Sequence, residues 1–397
     1  MILPRRVFAL LLMAQLGLGG RCLYAAGFEM WDTDHPVRVA RGPMSIFDVH
    51  ASMIDPDRFF VTYWQFTPVY GHTLAEYRLQ RGYKGLIMGL ADPESASENF
   101  LWGYTWPQIA ANPWYLKSIE ILSEDTHTVR MFLSGEQGRG DNDGSIELIS
   151  IDRGASNAVT DVLWKDLTGE HPDGQHDFQP CGVAVAPVGH RLIAPTDIMN
   201  GTNGFRVYGY DADTLAETGS VYAVGDLVTN GTGATYWDGP RAIALADGTF
   251  LIGGVGAPLL NQGIWKIDPV AQTATQILFK ADIEDHDLPG ALADPKNPVQ
   301  DMLVANGYLY LAQYSGRILA FAWDADRQTV KDRQIDGLLN LTALYASAFG
   351  QAGANAGGLS LTTRGELLVS SMQDGSVPMV VAFNVVPKQK SVYIFIR

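Results

Sequence analysis

Cysteine is nearly absent, with two residues in 397, Cys22 and Cys181. Cys22 falls in a stretch read below as removable. Cys181 then stands alone, so no internal disulfide is expected and a chain of this length must rely on its apolar core. A lone thiol in an exported chain is either buried or reactive, and the apolar run CGVAVAP opened by Cys181 favours burial. Charge is sparse too, at 18% of residues, and bases are the scarcer sign, 28 against 43 acids. A net charge of −15 with no basic run repels phosphate backbones, so no nucleic acid partner is expected. Long hydrophobic runs are missing as well. The apolar stretch Val7–Leu18 is too short to anchor in a bilayer and no later segment is longer, so no membrane span is expected. A phosphate-cradling glycine loop, a G-x-S-x-G elbow and a paired-cysteine metal site are also lacking.

Hydrophobic residues make up 47% of the chain and aromatics 10%, alongside 42 glycines and 20 prolines. That mixture supports a large core crossed by many turns, the composition of an all-β protein. Residues 1–26 read as a secretory signal: Arg5 and Arg6 precede the apolar stretch, and small residues stand at Ala25 and Ala26. A secreted or periplasmic location is therefore expected.

A repeat governs the remainder. The segment Val299–Gly337 reads as four short strands, VQDMLVA, GYLYLAQY, GRILAFAWD and QTVKDRQID. The same order recurs over Arg241–Phe279, Gly182–Val224 and Gly357–Arg397, the last ending in SVYIFIR, with looser copies near Ser118–Lys165 and Ile46–Gly89. Second strands begin near Phe59, Thr128, His190, Thr249, Gly307 and Glu366. Six units of four strands at near-constant spacing predict an all-β, six-bladed β-propeller over 46–397. Residues 27–45, with PVRVARGPM, form an N-terminal segment suited to a strand closing the ring. Asp211…Thr214, Asp268…Thr273 and Asp324…Thr329 mark the turns between third and fourth strands.

In such a ring the first strand of each blade lines the axis, and connections alternate between the two ends. The predicted links at one end are short, such as Asp247–Gly248 and Asn306–Gly307. Those at the other are long: Ala91–Leu116, Asp166–Pro180, Asp226–Pro240, Ala281–Pro298 and Gly337–Ala356. Long loops on a rigid frame hold binding or catalytic groups. The leading ends of the axial strands align as Phe47, Lys117, Cys181, Arg241, Gln300 and Gly357. Lys117 and Arg241 would bring two cations into the central well, to hold an anion or steady an oxyanion, unless acids such as Glu120 and Asp238 neutralise them. His176–Asp177 and Asp285–His286–Asp287 place imidazoles beside carboxylates in the long loops, a pattern fit for a general base or a cation site, or for a solvated acidic loop. Asp238 and Gln300 are further candidate ligand contacts. Aromatics reach 14 among the 57 residues from Phe59 to Tyr115. Trp102, Trp106 and Trp114 are read into the longest link, as a platform for a sugar ring or as that loop's own small core.

With entries such as NAGGLSLTTRGELLVSS and FQPCGVAVAP, the chain resembles the six-bladed group of SMP-30/gluconolactonase, strictosidine-synthase-like and NHL-repeat proteins. For the lactonase branch the resemblance implies one divalent cation, usually calcium, in the central well. Asp48, Asp301 and Asn355 lie near suitable strand ends, although the S-N-G-L metal segment of that branch is absent. Two functions follow as expectations. One is a hydrolase or lyase acting on a small carbohydrate-like or lactone substrate. The other is a non-catalytic binding propeller for a glycan or protein partner.

Overall fold

The computed structural model describes residues 27–30, 37–38, 45–64, 73–79, 100–104, 116–135, 144–166, 178–180, 182–189, 191–198, 206–223, 241–253, 263–283, 299–343, 355–372 and 379–386. Two short strands come first, β1 (Gly27–Met30) and β2 (Val37–Arg38). Blade 1 follows with β3 (Ser45–Ala51), β4 (Arg58–Trp64), β5 (Leu74–Arg78) and β6 (Phe100–Tyr104). Blade 2 holds β7 (Leu116–Glu124), β8 (Thr128–Gly135), β9 (Ser145–Asp152) and β10 (Ala158–Asp166). In blade 3 the axial strand is split into β11 (Phe178–Pro180) and β12 (Ala184–Val185), both paired with β13 (Arg191–Ile198), and β14 (Arg206–Asp211) and β15 (Glu217–Ala223) complete the sheet. Blade 4 comprises β16 (Ala242–Ala244), β17 (Phe250–Gly253), β18 (Gly263–Asp268) and β19 (Thr273–Phe279). Blade 5 comprises β20 (Val299–Ala305), β21 (Tyr308–Gln313), β22 (Arg317–Asp324) and β23 (Thr329–Asn340). Blade 6 comprises β24 (Asn355–Leu361), β25 (Glu366–Met372) and β26 (Met379–Val386). All pairings are antiparallel, each sheet is a meander, and the protein is a six-bladed β-propeller. No described helix is long and apolar enough to cross a membrane.

The ring is visible in the packing. Six apolar cores occupy the six junctions between successive blades. Ile46, Val61 and Tyr77 of blade 1 meet Leu368 and Val380 of blade 6, while Phe60 and Leu74 meet Met131 and Ile149 of blade 2. The circuit continues through Phe132 and Tyr210, Val207 and Phe250, Leu251 and Phe321, and Tyr310 and Phe383. Each sheet is thus buried on both faces, which is why strands such as YLYLAQ and RILAFAWD read as continuous apolar runs.

The turns repeat with the same chemistry. Asp152, Asp211, Asp268 and Asp324 end the third strands of blades 2 to 5, and in each case one carboxylate oxygen accepts two backbone N–H groups, at i+2 and i+3. The same turns close on a left-handed residue: Asn157 (φ 60°), Leu215 (55°), Gln272 (53°) and Gln328 (50°).

Two sequence expectations change, and a third falls outside the described residues. The segment SVYIFIR lies outside the described residues, and the outer edge of β26 is instead paired with β1, Gly27 opposite Val386, and with β2, Val37 opposite Val380. The fourth strand of blade 1 is FLWGY, paired with β5, rather than the apolar stretch before Gly89. The 79–99 connection therefore joins third and fourth strands and belongs to the short-turn end, the one long link there.

Candidate functional site

The axial strands share a backbone irregularity near their leading ends. Against its partner, β3 carries one extra residue at Phe47, β7 at Lys117 and β20 at Gln300, and β24 sets Gly357 and Gly358 against Ser370 alone. These are four of the six positions aligned from sequence. A bulge leaves its extra residue outside the ladder and re-aims the side chains around it, and here it turns the following carboxyl groups toward the next blade.

Asp48 follows the bulge of β3. Its Oδ1 accepts the N–H of Val49 at 2.8 Å and its Oδ2 accepts the N–H of Ile119, in blade 2, at 2.8 Å. Asp301 repeats the arrangement one blade pair away, accepting Met302 N–H at 2.8 Å and Leu359 N–H, in blade 6, at 2.5 Å. Glu120 of β7 accepts the N–H of Val185 in blade 3. Between blades 6 and 1 a hydroxyl substitutes for a carboxylate: Ser360 Oγ accepts Ala51 N–H at 2.8 Å. There, Gly358 is required by close approach. A β-carbon on it would press on the Val49 nitrogen and lie 2.7 Å from Asp48 Oδ1.

Arg241, immediately before β16, is 5% exposed and reaches in two directions. Its Nε donates to the Gln300 carbonyl in blade 5 at 2.8 Å, and its Nη1 extends past blade 3 to the Lys117 carbonyl in blade 2 at 2.7 Å. One guanidinium thus fastens three blades inside the ring. Lys117 is 1% exposed, with Nζ 5.7 Å from the Phe47 ring centroid, a cation over an aromatic face.

Three acids gather around these cations. Burial raises Asp48, with Arg241, the Ile119 and Val49 amides and nearby His50 offsetting part of the effect. Asp301 is pushed up to about 8, by burial first and then by the Asp48 charge, against the opposing pull of Arg241 and two amides. Glu120 also reaches about 8, from burial and then repulsion by Asp48 and Asp301, against its single amide. Glu120, Asp301 and Asn355 keep partial exposure within the ring, whereas Asp48, Lys117, Arg241 and Gln300 lie behind them, buried. The Gln300 side-chain nitrogen is buried with no hydrogen-bond partner among the described residues.

The structure therefore brings Lys117, Arg241, Gln300, Asp48 and Asp301 to the leading ends of the axial strands, with Asn355 opening β24. Trp102 is displaced from its expected loop: it lies on β6, stacked on Tyr104 at 6.3 Å and packed against the core between blades 1 and 2, because alternating aromatics in FLWGY make a good outer strand. His176, Asp177, His286, Asp238, Trp106, Trp114 and Cys181 lie outside the described residues. For the cation expected at Asp48, Asp301 and Asn355, the donor set fits poorly. Both aspartates spend each oxygen on an amide beside a guanidinium, and among the described residues no group of three or more His, Cys, Asp or Glu side chains is arranged to hold a metal. No chemical step is routed through a metal here. Sequence reasoning counted Glu120 only as a partner for Lys117. Its signal was its place three residues beyond the bulge position on an axial strand.

No family model matches the chain, and no curated protein matches it. Among solved structures it is similar to U3-55K, at 8% identity over 87% of this chain and 97% of that one, with a TM-score of 0.46. The WD40 β-propeller domain of Doa1 gives 11% identity, 91% and 98% coverage and a TM-score of 0.44. The RRP9 WD40 repeats give 9% identity, 90% and 100% coverage and a TM-score of 0.47. The propeller rests on the strand pairing described above, not on these distant likenesses, and they assign no family.

Proposed function

We propose that this protein is a ligand-binding propeller that receives a small, uncharged, hydroxyl-rich molecule of carbohydrate or lactone type at the leading ends of its axial strands. The supporting observation is the hub's acid set: Glu120 and Asp301, both pushed up to about 8 and both partly exposed, backed by Asp48 and Arg241. A carboxyl that keeps its proton at neutral pH donates one hydrogen bond and accepts others, which suits hydroxyl and carbonyl oxygens and disfavours a bare cation or anion. Asn355 adds an amide at the same end. In this reading residues 1–26 direct the chain out of the cytoplasm, where such ligands are scavenged or remodelled.

A catalytic reading draws on the same groups. A protonated Glu120 or Asp301 can serve as general acid toward a glycosidic or lactone oxygen, while whichever hub carboxyl is ionised takes a proton from water or from a carbon acid. The test of both readings is a thermal-shift and calorimetric screen of monosaccharides, disaccharides and aldonolactones. Product analysis is run on every hit, with Glu120→Gln and Asp301→Asn alongside the wild type. Binding weakened about tenfold or more in either variant supports the site. No stabilising ligand, or equal affinity in all three proteins, removes it.

A further inference from the structure

A cleft lies at the end of the blades opposite the hub carboxyls. From Asp48 to Ala51, where β3 ends and the chain turns, is about 10 Å of extended strand. The cleft has a volume of about 630 Å³ and sits between blades 1 and 2, among the turns after β3, β7 and β9. That volume is in the range of small-ligand sites.

Its floor is prebuilt. Arg153 is 10% exposed at the side chain, and its Nη2 meets Glu76 Oε1 at 2.8 Å and Glu124 Oε1 at 2.7 Å. Glu124 is held in turn by the Ser52 hydroxyl at 2.8 Å and the Met53 amide at 2.6 Å. Buried ion pairs of this kind seldom repay their desolvation as stability, so the floor is better understood as fixed polar geometry than as cement. Above it, Arg58 Nε faces Asp55 at 3.1 Å and Nη1 lies 3.4 Å from Glu76, while its other terminal nitrogen has no partner among the described residues. The Thr126 hydroxyl and the side-chain amide of Asn157, whose backbone is held at φ 60°, line the same space and have no hydrogen-bond partner among the described residues. One wall is aliphatic: Ile54 (43% exposed), Pro56 and Leu101.

We propose that this cleft is a docking site for an uncharged, extended peptide segment that seats one aliphatic side chain against Ile54, Pro56 and Leu101. The charges select against other ligands. Arg58 and Arg153 are met by Asp55, Glu76 and the Glu124 carboxylate beneath them, so a free anion meets carboxylates and a cation meets two guanidiniums. Among the described residues no aromatic side chain lines the cleft to stack a sugar ring. A peptide backbone instead offers what the rim lacks, carbonyls for Arg58 and the Asn157 amide and N–H groups for the Thr126 and Asn157 oxygens.

The test uses full-length protein labelled with ¹³C at methionine methyls, because Met53, 51% exposed and adjacent to Ile54, reports on the rim. Probes are N-acetylated, C-amidated Gly-Leu-Gly, its Asp and Lys counterparts, and glucose. The leucine peptide is expected to shift the Met53 methyl saturably at roughly millimolar concentration, the scale of a few kcal/mol. The charged peptides should bind at least fivefold more weakly. Ile54→Ser and Asn157→Gly, the latter compatible with positive φ, should each weaken the leucine peptide at least fivefold while other methyl signals stay in place. Glu120→Gln should leave the peptide titration unchanged, which separates this site from the hub. A silent Met53, a shift from glucose equal to that from the leucine peptide, or rim variants that bind as well as wild type would overturn the proposal.

Discussion

Replacing Glu120 with Gln should stabilise the protein, and by an amount that depends on pH. In the folded hub the carboxyl holds its proton up to about pH 8, whereas in the unfolded chain it releases it near 4.5. Between those values the native state binds more protons, so this group's contribution falls as pH rises and is fully present only below 4.5. At pH 7 the carboxyl must be kept protonated about 2.5 pH units above its unfolded value, a cost of roughly 3 kcal/mol at 1.36 kcal/mol per unit. Glutamine removes that cost and keeps an oxygen for the Val185 amide. The gain should be near zero at pH 4 and about 3 kcal/mol at pH 7, or about 4 °C in Tm for a chain of this size. Urea titrations of both proteins at pH 4, 5.5 and 7 read it directly. A gain that does not grow with pH, or a loss at pH 7, would refute the placement of an enclosed, proton-holding Glu120 beside Asp48 and Asp301.

Gly358→Ala should lower the urea midpoint at constant slope, by about 3 kcal/mol of stability, because the new methyl meets the backbone of β3 and the Asp48 carboxyl rather than a side chain that can turn away. Arg153→Met keeps volume but leaves Glu76 and Glu124 buried without their shared cation, at about 3–5 kcal/mol near neutral pH. Arg153→Lys should recover part of that loss, and an Arg153→Met protein as stable to urea as the wild type would contradict the ion-pair account.

Much of the fold was legible because it repeats. Predicted second-strand starts at Thr128 and Glu366 coincide with the observed first residues of β8 and β25, and Phe59, Thr249 and Gly307 fall within one residue. The aspartates at 211, 268 and 324 announced turns whose cause is two amides on one carboxylate oxygen. Blade 1 misled because its copy was closed near Gly89, whereas its fourth strand, FLWGY, begins 11 residues past that point. Pattern cannot decide between two apolar segments when pairing with β5 does. A ring-closing strand was expected in 27–45 on the strength of PVRVARGPM, and β2 of that run pairs with β26; β1 itself was not singled out, since four residues carry no periodicity. At the hub the alignment found the bulge positions, Phe47, Lys117 and Gln300, but not their consequence. That a bulge turns the next carboxyl onto a neighbouring blade's amide is a fact of backbone geometry, with no signature in residue type.

The hub also departs from the repeat in its chemistry. Four axial strands share the same opportunity: a bulge, then a side chain placed to bridge to the next blade. Asp48 and Asp301 use it fully, with both oxygens committed to amides, and the hydroxyl of Ser360 and the bare Gly358 show that the bridge tolerates smaller chemistry. Were stapling the whole purpose, hydroxyls would serve at every junction and no acid would need enclosure at the desolvation cost that burial imposes. Instead three acids are concentrated on blades 1, 2 and 5, and one guanidinium from blade 4 is stretched past blade 3, so that its charge acts on Asp48 and Asp301 together. That breaks the pattern in chemistry even among the four blades whose axial strands share the backbone bulge. The ligand-binding role proposed for these strand ends rests on that excess of carboxyl over what the staples require.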